Sequence, residues 1–246
     1  MILDRPAQPS WERQWYTSDM KQWNQEFKKY GKIFAVPQES INDITSLFKR
    51  HNVKKILDLG CGSGRHVVYF AKQGFDVYGI DIAEEGIKLT EKWLKGEGLK
   101  ASLEVGNIYG NLPYRDDFFN AVISTQTLHH ERIEKIRKAI KEIERVLTPN
   151  GFVFITFRKR KFKNFYPNHT IIEKYGKQKV NYKVIAPRTY IPVEGGEKGL
   201  PHYLFNKKLI EKEFDNFKNR KIWVDSEKRH YCFWGQLKDN CRPKWF

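Results

Sequence analysis

The chain has few cysteines and no long hydrophobic run. Its 246 residues include three cysteines, at positions 61, 232 and 241, and their spacing fits no metal-binding pattern. We therefore predict reduced thiols, as in a cytoplasmic protein, and no metal site. No apolar run approaches the roughly 18 residues of a membrane span, and the first residues lack the basic-then-apolar order of a signal peptide. These absences favour a globular protein with no membrane partner.

Acidic residues are scarce relative to basic ones. The 29 Asp and Glu residues stand against 45 Lys and Arg, which gives a formal net charge of +16. A surface of this kind attracts polyanions such as nucleic acids. Lysine-rich, charge-dense surfaces are also typical of proteins from heat-loving organisms, where surface ion pairs contribute to stability. The net charge alone is compatible with both explanations.

What the chain does contain is an apolar strand that runs into a glycine turn. Residues 56–59 are followed by glycines at 60, 62 and 64. Such a turn lets backbone amides approach a negative group at the start of the next helix. A second apolar run, 77–80, ends at Asp81, where a carboxylate at the tip of the neighbouring strand could accept hydrogen bonds from a ribose diol. Together the two features predict a site for a nucleotide-like cofactor.

The glycine spacing narrows the choice of cofactor. The dinucleotide fingerprint needs a glycine or alanine three residues after its second glycine, where helix and strand pack closely. Here that position, three after Gly62, is Arg65. The spacing therefore disfavours NAD and FAD, and no Gly-Lys-Ser/Thr follows to make a phosphate loop.

At this point the chain resembles the class I, Rossmann-like S-adenosylmethionine-dependent methyltransferases of the type 11 kind. The resemblance covers about residues 40–157, with a closing hairpin at 220–238. It rests on five segments in family order: 57–64 for the first motif, 77–82 for the second strand, 106–108 with 112–114 and then 119–124 for the third and fourth strand regions, and 147–152 for the turn into the fifth strand.

The resemblance implies an α/β fold: a doubly wound, mostly parallel seven-stranded sheet with an antiparallel C-terminal hairpin. Alternating strand and helix patterns from 55 to 157 agree with this. We expect four parts. They are an aromatic-rich helical lid (1–37), the cofactor-binding core (38–157), a basic and aromatic insertion for the substrate (158–206), and a C-terminal helix and hairpin that complete the core (207–246).

The same resemblance implies S-adenosylmethionine as cofactor and assigns residues to it. Gly60, Cys61 and Gly62 would lie along its methionine end, and Asp58 would orient its amino group. Asp81 would bind the ribose, although it could instead cap the helix predicted at 83–95. The remaining expected contacts are Ile82 and Ile108 beside the adenine, Asn107 near the adenine amine, where many family members carry an acid, and Gln126 near the methionine part.

Residues after the fourth strand and in the insertion are candidates for the methyl acceptor. His129 or His130 could act as a base, since the histidine pKa lies near neutrality, or could simply pack at the start of the helix 131–146. Substrate contacts are expected from Tyr16 among the N-terminal aromatics and from Arg188, Tyr190 and His202 in the insertion. Ordered loop structure would explain these insertion residues equally well.

The predicted reaction is in-line transfer of a methyl group to a small-molecule acceptor. Alignment of the reactants supplies most of the catalysis, and a base is needed only for some acceptors. One alternative is a tRNA or other RNA methyltransferase, with basic and aromatic residues of 158–183 holding the nucleic acid. The residues 128–130 also resemble those of the tRNA wobble-uridine carboxymethyl methyltransferases. A further alternative is a protein that binds the cofactor without transferring the methyl group.

Overall fold

The fold is seen in a computed structural model. It describes residues 21–33, 35–159, 170–175 and 178–239, with only the backbone considered from 170 to 181. A first helix, α1, occupies 21–30. The other helices are α2 (Ile41–Arg50), α3 (Arg65–Lys72), α4 (Glu84–Gly96), α5 (Ile133–Val146) and α6 (Lys207–Glu213). The strands are β1 (Lys55–Leu59), β2 (Asp76–Asp81), β3 (Ser102–Val105), β4 (Phe119–Thr125), β5 (Leu147–Arg158), β6 (Thr170–Tyr175), β7 (Gln178–Ala186), β8 (Thr189–Pro192), β9 (His202–Tyr203), β10 (Phe217–Val224) and β11 (His230–Leu237).

Seven strands form the central sheet, in the order β10-β11-β5-β4-β1-β2-β3. The strands β1 to β5 are parallel, while β11 pairs antiparallel with both β5 and β10. The chain moves outward from β1 through β2 to β3 and then returns to place β4 on the other side of β1. This reversal opens a crevice at the carboxyl ends of β1 and β4, where open α/β sheets bind their ligands. The predicted seven-stranded class I architecture is confirmed.

Helices cover both faces of the sheet because each helix carries one apolar face. On α5 the isoleucines 136, 140 and 143 recur at intervals of three and four residues, and all are buried. They form one core together with residues of α6 and β10. A second core on the opposite face gathers apolar residues of α2, α3 and α4. The sheet is thereby held rigid behind its ligand-binding edge.

The insertion after β5 contains a small sheet that the sequence analysis did not predict. Strands β6 to β9 form an antiparallel sheet in chain order. Tyr182, Val184, Tyr190 and Leu204 make its own small core. The alternation of apolar and polar residues over 182–184 was the available signal, but the high charge of this segment obscured it. The C-terminal helix expected within 207–246 is short and ends at Glu213, and the first strand of the hairpin begins at Phe217.

The described helices include none that is both long and apolar enough to cross a lipid bilayer.

Candidate active site

The turn between β1 and α3 is shaped by glycines that no other residue could replace without strain. Gly60 has a φ of +82°, and a Cβ there would lie 2.2 Å from Cγ2 of Thr127. Gly62 has a φ of +54°, and its Cβ would come within 3.2 Å of the Phe27 ring. Left-handed backbone favours glycine. The sequence thus places bare backbone at the crevice, as a bound cofactor needs.

Asp81, at the end of β2, is tied to the glycine turn. One carboxylate oxygen accepts a hydrogen bond from the Gly62 amide at 2.8 Å, and the other accepts one from the Ala83 amide at 2.8 Å. The second bond shapes the turn before α4, but the N-cap residue of that helix is Ala83 and no side chain caps it, so the helix-cap alternative for Asp81 is wrong. Burial raises the pKa of the carboxyl, and the amide bonds oppose this. Each oxygen can accept a further bond, which leaves room for ribose hydroxyls.

Asp58 has a buried carboxyl group that no described residue neutralises by a hydrogen bond. It is 1% exposed, and neither carboxylate oxygen has a hydrogen-bond partner among the described residues. Nδ1 of His66 lies 3.8 Å from Oδ2, but burial lowers the pKa of His66 well below its usual value, so this ring is neutral. Burial raises the pKa of Asp58 to about 7, with the guanidinium of Arg65 opposing the shift. The ammonium group of a methionine moiety would satisfy this carboxylate.

The residues expected near the adenine follow β2 and β3. Ile82 is half-buried, whereas Ile108 is buried in the main core. The side-chain oxygen of Asn107 accepts a hydrogen bond from the Tyr109 amide at 2.9 Å, so this residue shapes its own turn. Cys61 is buried, and burial raises the pKa of its thiol well above the usual value. The thiol is therefore neutral, and we assign it a packing contact.

Gln126, just past the carboxyl end of β4, contacts four neighbours, one of which is His130, whose Nε2 lies 3.0 Å from the Gln126 carbonyl oxygen. Its backbone is left-handed, with a φ of +62°, and its amide donates to Thr156 Oγ1 at 2.8 Å. Its side-chain oxygen lies 3.4 Å from Arg65 Nη2, and its side-chain nitrogen lies 3.4 Å from His230 Nε2. A non-glycine residue in this conformation is held there by its surroundings. The position at the crevice agrees with the expected cofactor contact.

Three histidines from two distant parts of the chain meet beside Gln126. The rings of His129 and His130 are stacked with centroids 4.3 Å apart, and the ring of His202 lies 4.5 Å from that of His130. Burial lowers the pKa of His129 well below its usual value, and the neighbouring histidines add to this. Glu197 approaches the group, with Oε2 3.6 Å from Nε2 of His202.

The other predicted substrate residues take up different positions. Tyr190 is fully buried in the core of the small sheet and stacks on His202 at 4.9 Å. Arg188 donates from Nε to the carbonyl of Leu204 at 2.5 Å, so its side chain fastens two segments of the insertion. Tyr16 and residues 160–169 and 176–177 of the basic segment lie outside the described residues, and from 170 to 181 only the backbone is described.

Helix α1 lies across the site. Asn24 accepts a hydrogen bond from the Glu85 amide at 2.8 Å, at the start of α4. Trp23 meets the ring of His130 edge-on at 5.7 Å. Gln22 donates to the carbonyl of Gly196 in the insertion. With Phe27 over Gly62, these contacts join α1 to the glycine turn, the histidines and the insertion.

Sequence reasoning missed a histidine oriented by a carboxylate. His230 begins β11 opposite Arg158 at the end of β5, so it lies at the same edge of the sheet as Gln126. Its Nδ1 is 2.6 Å from Oδ2 of Asp225. Asp225 immediately follows β10, and no motif marks the pair. The signal in the sequence was the predicted hairpin, because its second strand runs antiparallel to β5 and therefore begins beside the end of β5.

Comparisons with known proteins agree with this geometry. Residues 57–155 match the family model described as a methyltransferase domain. Norajmaline N-methyltransferase of Rauvolfia serpentina is 36% identical over 105 residues, which are 42% of this chain and 35% of that protein. The tRNA (carboxymethyluridine(34)-5-O)-methyltransferase of Arabidopsis thaliana is 41% identical over 102 residues, 41% of this chain and 23% of that protein. The chain thus spans about a third or less of the length of these two relatives.

Among solved structures, an S-adenosylmethionine-dependent methyltransferase from Clostridium acetobutylicum is similar with a TM-score of 0.62 and 15% identity. The match covers 88% of this chain and 99% of that one. At this identity the likeness shows the fold. Residues 57–155 therefore match a methyltransferase domain, and the fold of the described chain is that of the class I S-adenosylmethionine-dependent methyltransferases.

Proposed function

We propose that the protein transfers the methyl group of S-adenosylmethionine to a small-molecule acceptor. The observation that carries this proposal is Asp58. It is buried near the end of β1, two residues before Gly60, and neither of its oxygens has a hydrogen-bond partner among the described residues. A carboxylate in this state is costly unless a cation reaches it. The ammonium group of the cofactor is the cation that the family supplies at this place.

The other cofactor contacts that we propose come from residues at the carboxyl ends of the strands, around the crevice. Asp81 would add ribose hydroxyls to its two amide bonds, and such charge-assisted bonds are the stronger kind. Ile82 would flank the adenine. Gln126 would approach the methionine part through its strained backbone. The buried thiols of Cys61 and Cys232 support a reducing, cytoplasmic environment.

Catalysis in this site would depend mainly on alignment. A sulfonium already contains its leaving group, so the protein has to hold nucleophile, methyl carbon and sulfur in line and exclude water, and orientation of this kind can supply roughly 7–11 kcal/mol. For an acceptor that must lose a proton, His230 is a candidate base, because Asp225 fixes its ring. The predicted bases His129 and His130 remain candidates, although His129 is only 2% exposed.

The contacts of α1 support the proposed lid. Its residues touch the glycine turn, the start of α4, His130 and the insertion. These contacts place α1 against the glycine turn at one end and against the histidines and the insertion at the other, so the helix walls part of the crevice. A walled crevice suits a small acceptor better than a folded RNA.

A tRNA acceptor is the second candidate. It is favoured by the net charge of +16 and by the similarity to the Arabidopsis tRNA methyltransferase, which is 41% identical within the matched region. In this case the basic segment 158–183 would bind phosphates.

One experiment separates these candidates. The full chain is incubated with methyl-labelled S-adenosylmethionine and fractionated cell extract, with and without ribonuclease. We expect the label in small molecules, insensitive to ribonuclease. Label that disappears on ribonuclease treatment would support the tRNA candidate. If S-adenosylhomocysteine binds but no fraction becomes labelled, the protein is a cofactor-binding protein without transferase activity.

A further inference from the structure

We propose that His129, His130 and His202 bind one divalent transition-metal ion. One ligand atom from each of these three side chains lies within 4.8 Å of the other two. A point equidistant from three atoms at that spacing is about 2.8 Å from each, and zinc–histidine bonds measure about 2.0–2.1 Å. Side-chain movements below about 1 Å would therefore close the site around an ion.

The backbone brings the two halves of the group together. His129 and His130 follow β4, and His202 begins β9 some seventy positions later along the chain. The amide of Tyr203 donates to the carbonyl of His129 at 2.8 Å, which locks the small sheet onto the end of the central one. Because the ligands come from segments so far apart, no sequence spacing indicates them, and the sequence analysis predicted no metal site.

The hydrogen bonds around the rings suit metal ligation. Nε2 of His130 lies 3.0 Å from the carbonyl oxygen of Gln126. In the neutral ring this nitrogen must carry the hydrogen, so the lone pair is on Nδ1. A ligating histidine usually donates its other N–H to a carbonyl or carboxylate in this manner. Nδ1 of His129, a residue only 2% exposed, is buried with no hydrogen-bond partner among the described residues.

Glu197 places a carboxylate beside the histidines, on the side from which an ion could enter. Its two oxygens lie 3.6 Å from Nε2 of His202 and 4.0 Å from Nε2 of His130. Its side chain is 39% exposed, so an ion can reach the histidines past it. We assign Glu197 the role of the carboxylate that orients the His202 ring, as in carboxylate–histidine–metal arrangements.

Three imidazole ligands favour zinc, iron, nickel or copper over magnesium or calcium. Sites with three protein ligands keep open coordination positions. On the proposed function, an anionic oxygen of the methyl acceptor would occupy one of them. The acceptor class is then a small molecule with a metal-binding carboxylate, phenolate or similar oxygen close to the methylated atom.

The test uses untagged full-length protein, stripped with a chelator and titrated with Co²⁺. We expect one tight site per chain, with visible absorption bands of low-coordinate cobalt. His129→Asn and His202→Gln should each weaken Co²⁺ binding at least tenfold, and Glu197→Gln should weaken it less. The control variants His230→Gln, a buried histidine outside the group, and exposed His51→Asn should bind Co²⁺ as the unaltered protein does.

Two results would overturn the metal site. They are the absence of a stoichiometric Co²⁺ site in the unaltered protein, and equal Co²⁺ binding by folded His129→Asn or His202→Gln protein. Circular dichroism checks the folding of these variants, and exposed Glu197→Gln gives an independent readout. Calorimetry with S-adenosylhomocysteine on the same samples separates the two proposals. Cofactor binding without cobalt binding rejects only the metal site, and the converse result rejects only the methyltransferase proposal.

Discussion

At the scale of single residues, Gly60 combines a left-handed backbone with a missing side chain. Gly60→Ala should destabilise the protein by about 2–4 kcal/mol, because the new Cβ would meet Thr127 and the backbone would be strained. Gly74 is the matched control, since its φ is +84° and nothing lies within 4 Å of its Cβ position. Urea unfolding gives the free energy of unfolding of both variants. The difference between their losses is the contribution of the steric clash with Thr127, because the backbone strain is common to both. Equal losses for Gly60→Ala and Gly74→Ala would contradict the close approach.

Asp81 joins the glycine turn to the expected ribose. Asp81→Asn should weaken the binding of S-adenosylhomocysteine by about 1.5–3 kcal/mol, or roughly 10- to 150-fold, because charged hydrogen bonds are lost. Calorimetric titration measures this, and Asp76→Asn at the opposite, exposed end of β2 is the control. An unchanged dissociation constant in folded Asp81→Asn protein would refute the ribose assignment.

The protonation of Asp58 should couple cofactor binding to pH. Burial raises its pKa from 3.8 to about 7, so below pH 7 the unliganded protein holds a proton that a bound ammonium group must displace. We expect the affinity for S-adenosylhomocysteine to fall by up to about tenfold per pH unit below 7. Calorimetry in two buffers of different ionisation enthalpy should detect the released proton. If the affinity for S-adenosylhomocysteine does not change between pH 5.5 and 8, Asp58 does not bind the ammonium group of the cofactor.

The same shift has a consequence for stability. Between pH 4 and 7 the folded state retains the Asp58 proton while the unfolded chain has lost it, so the free energy of unfolding of the unliganded protein should decrease as pH rises through this window. Arg65 and His66 of α3 and Asp81 of β2 are the charged or titratable groups around it. Asp58→Asn should flatten this part of the profile, which urea unfolding at several pH values would show.

At the scale of elements, α1 connects the parts of the site that the sheet leaves apart. Phe27 covers Gly62 and is buried, whereas Tyr30 on the same helix is exposed. If α1 is the lid of the cofactor, Phe27→Ala should accelerate dissociation of S-adenosylhomocysteine about tenfold or more, because removing a buried aromatic ring loses roughly 2–4 kcal/mol of contacts at the turn. Stopped-flow displacement measures the rate. Tyr30→Ala should leave it unchanged, and equal rates in both variants would argue against the lid.

The helices and strands of the core were well predicted, and the small sheet of the insertion was not. Residues 55–59 place apolar side chains on both faces of the sheet because β1 lies inside it and is buried on both sides. The isoleucines of 133–146 recur at intervals of three and four because one face of α5 is buried. In the described part of the insertion, a small core of four residues holds the sheet together: Tyr182, Val184, Tyr190 and Leu204. So few buried positions give a weak pattern, and the many lysines around them mask it.

At the scale of the whole molecule, the net charge of +16 makes salt a useful discriminator. Transfer to a small acceptor should change less than about twofold between 50 and 200 mM salt. An RNA acceptor held by 6–10 phosphate contacts should lose about 10³–10⁵ in affinity over the same range. Initial rates at subsaturating acceptor measure the difference. A steep salt dependence of transfer to a small acceptor would contradict this expectation.

The sequence by itself determined the class of fold, the cofactor and the residues around the glycine turn. These depend on local features, a strand end, a left-handed turn and an acidic strand tip, each of which is specified by a few residues next to one another in the chain. Only the tertiary structure decided which distant groups share the site. It joined His202 to His129 and His130, placed the Asp225–His230 pair beside Gln126 and laid α1 over Gly62. Contacts between segments far apart in the chain are determined by packing, and packing produces no regular residue spacing in the sequence from which they could be predicted.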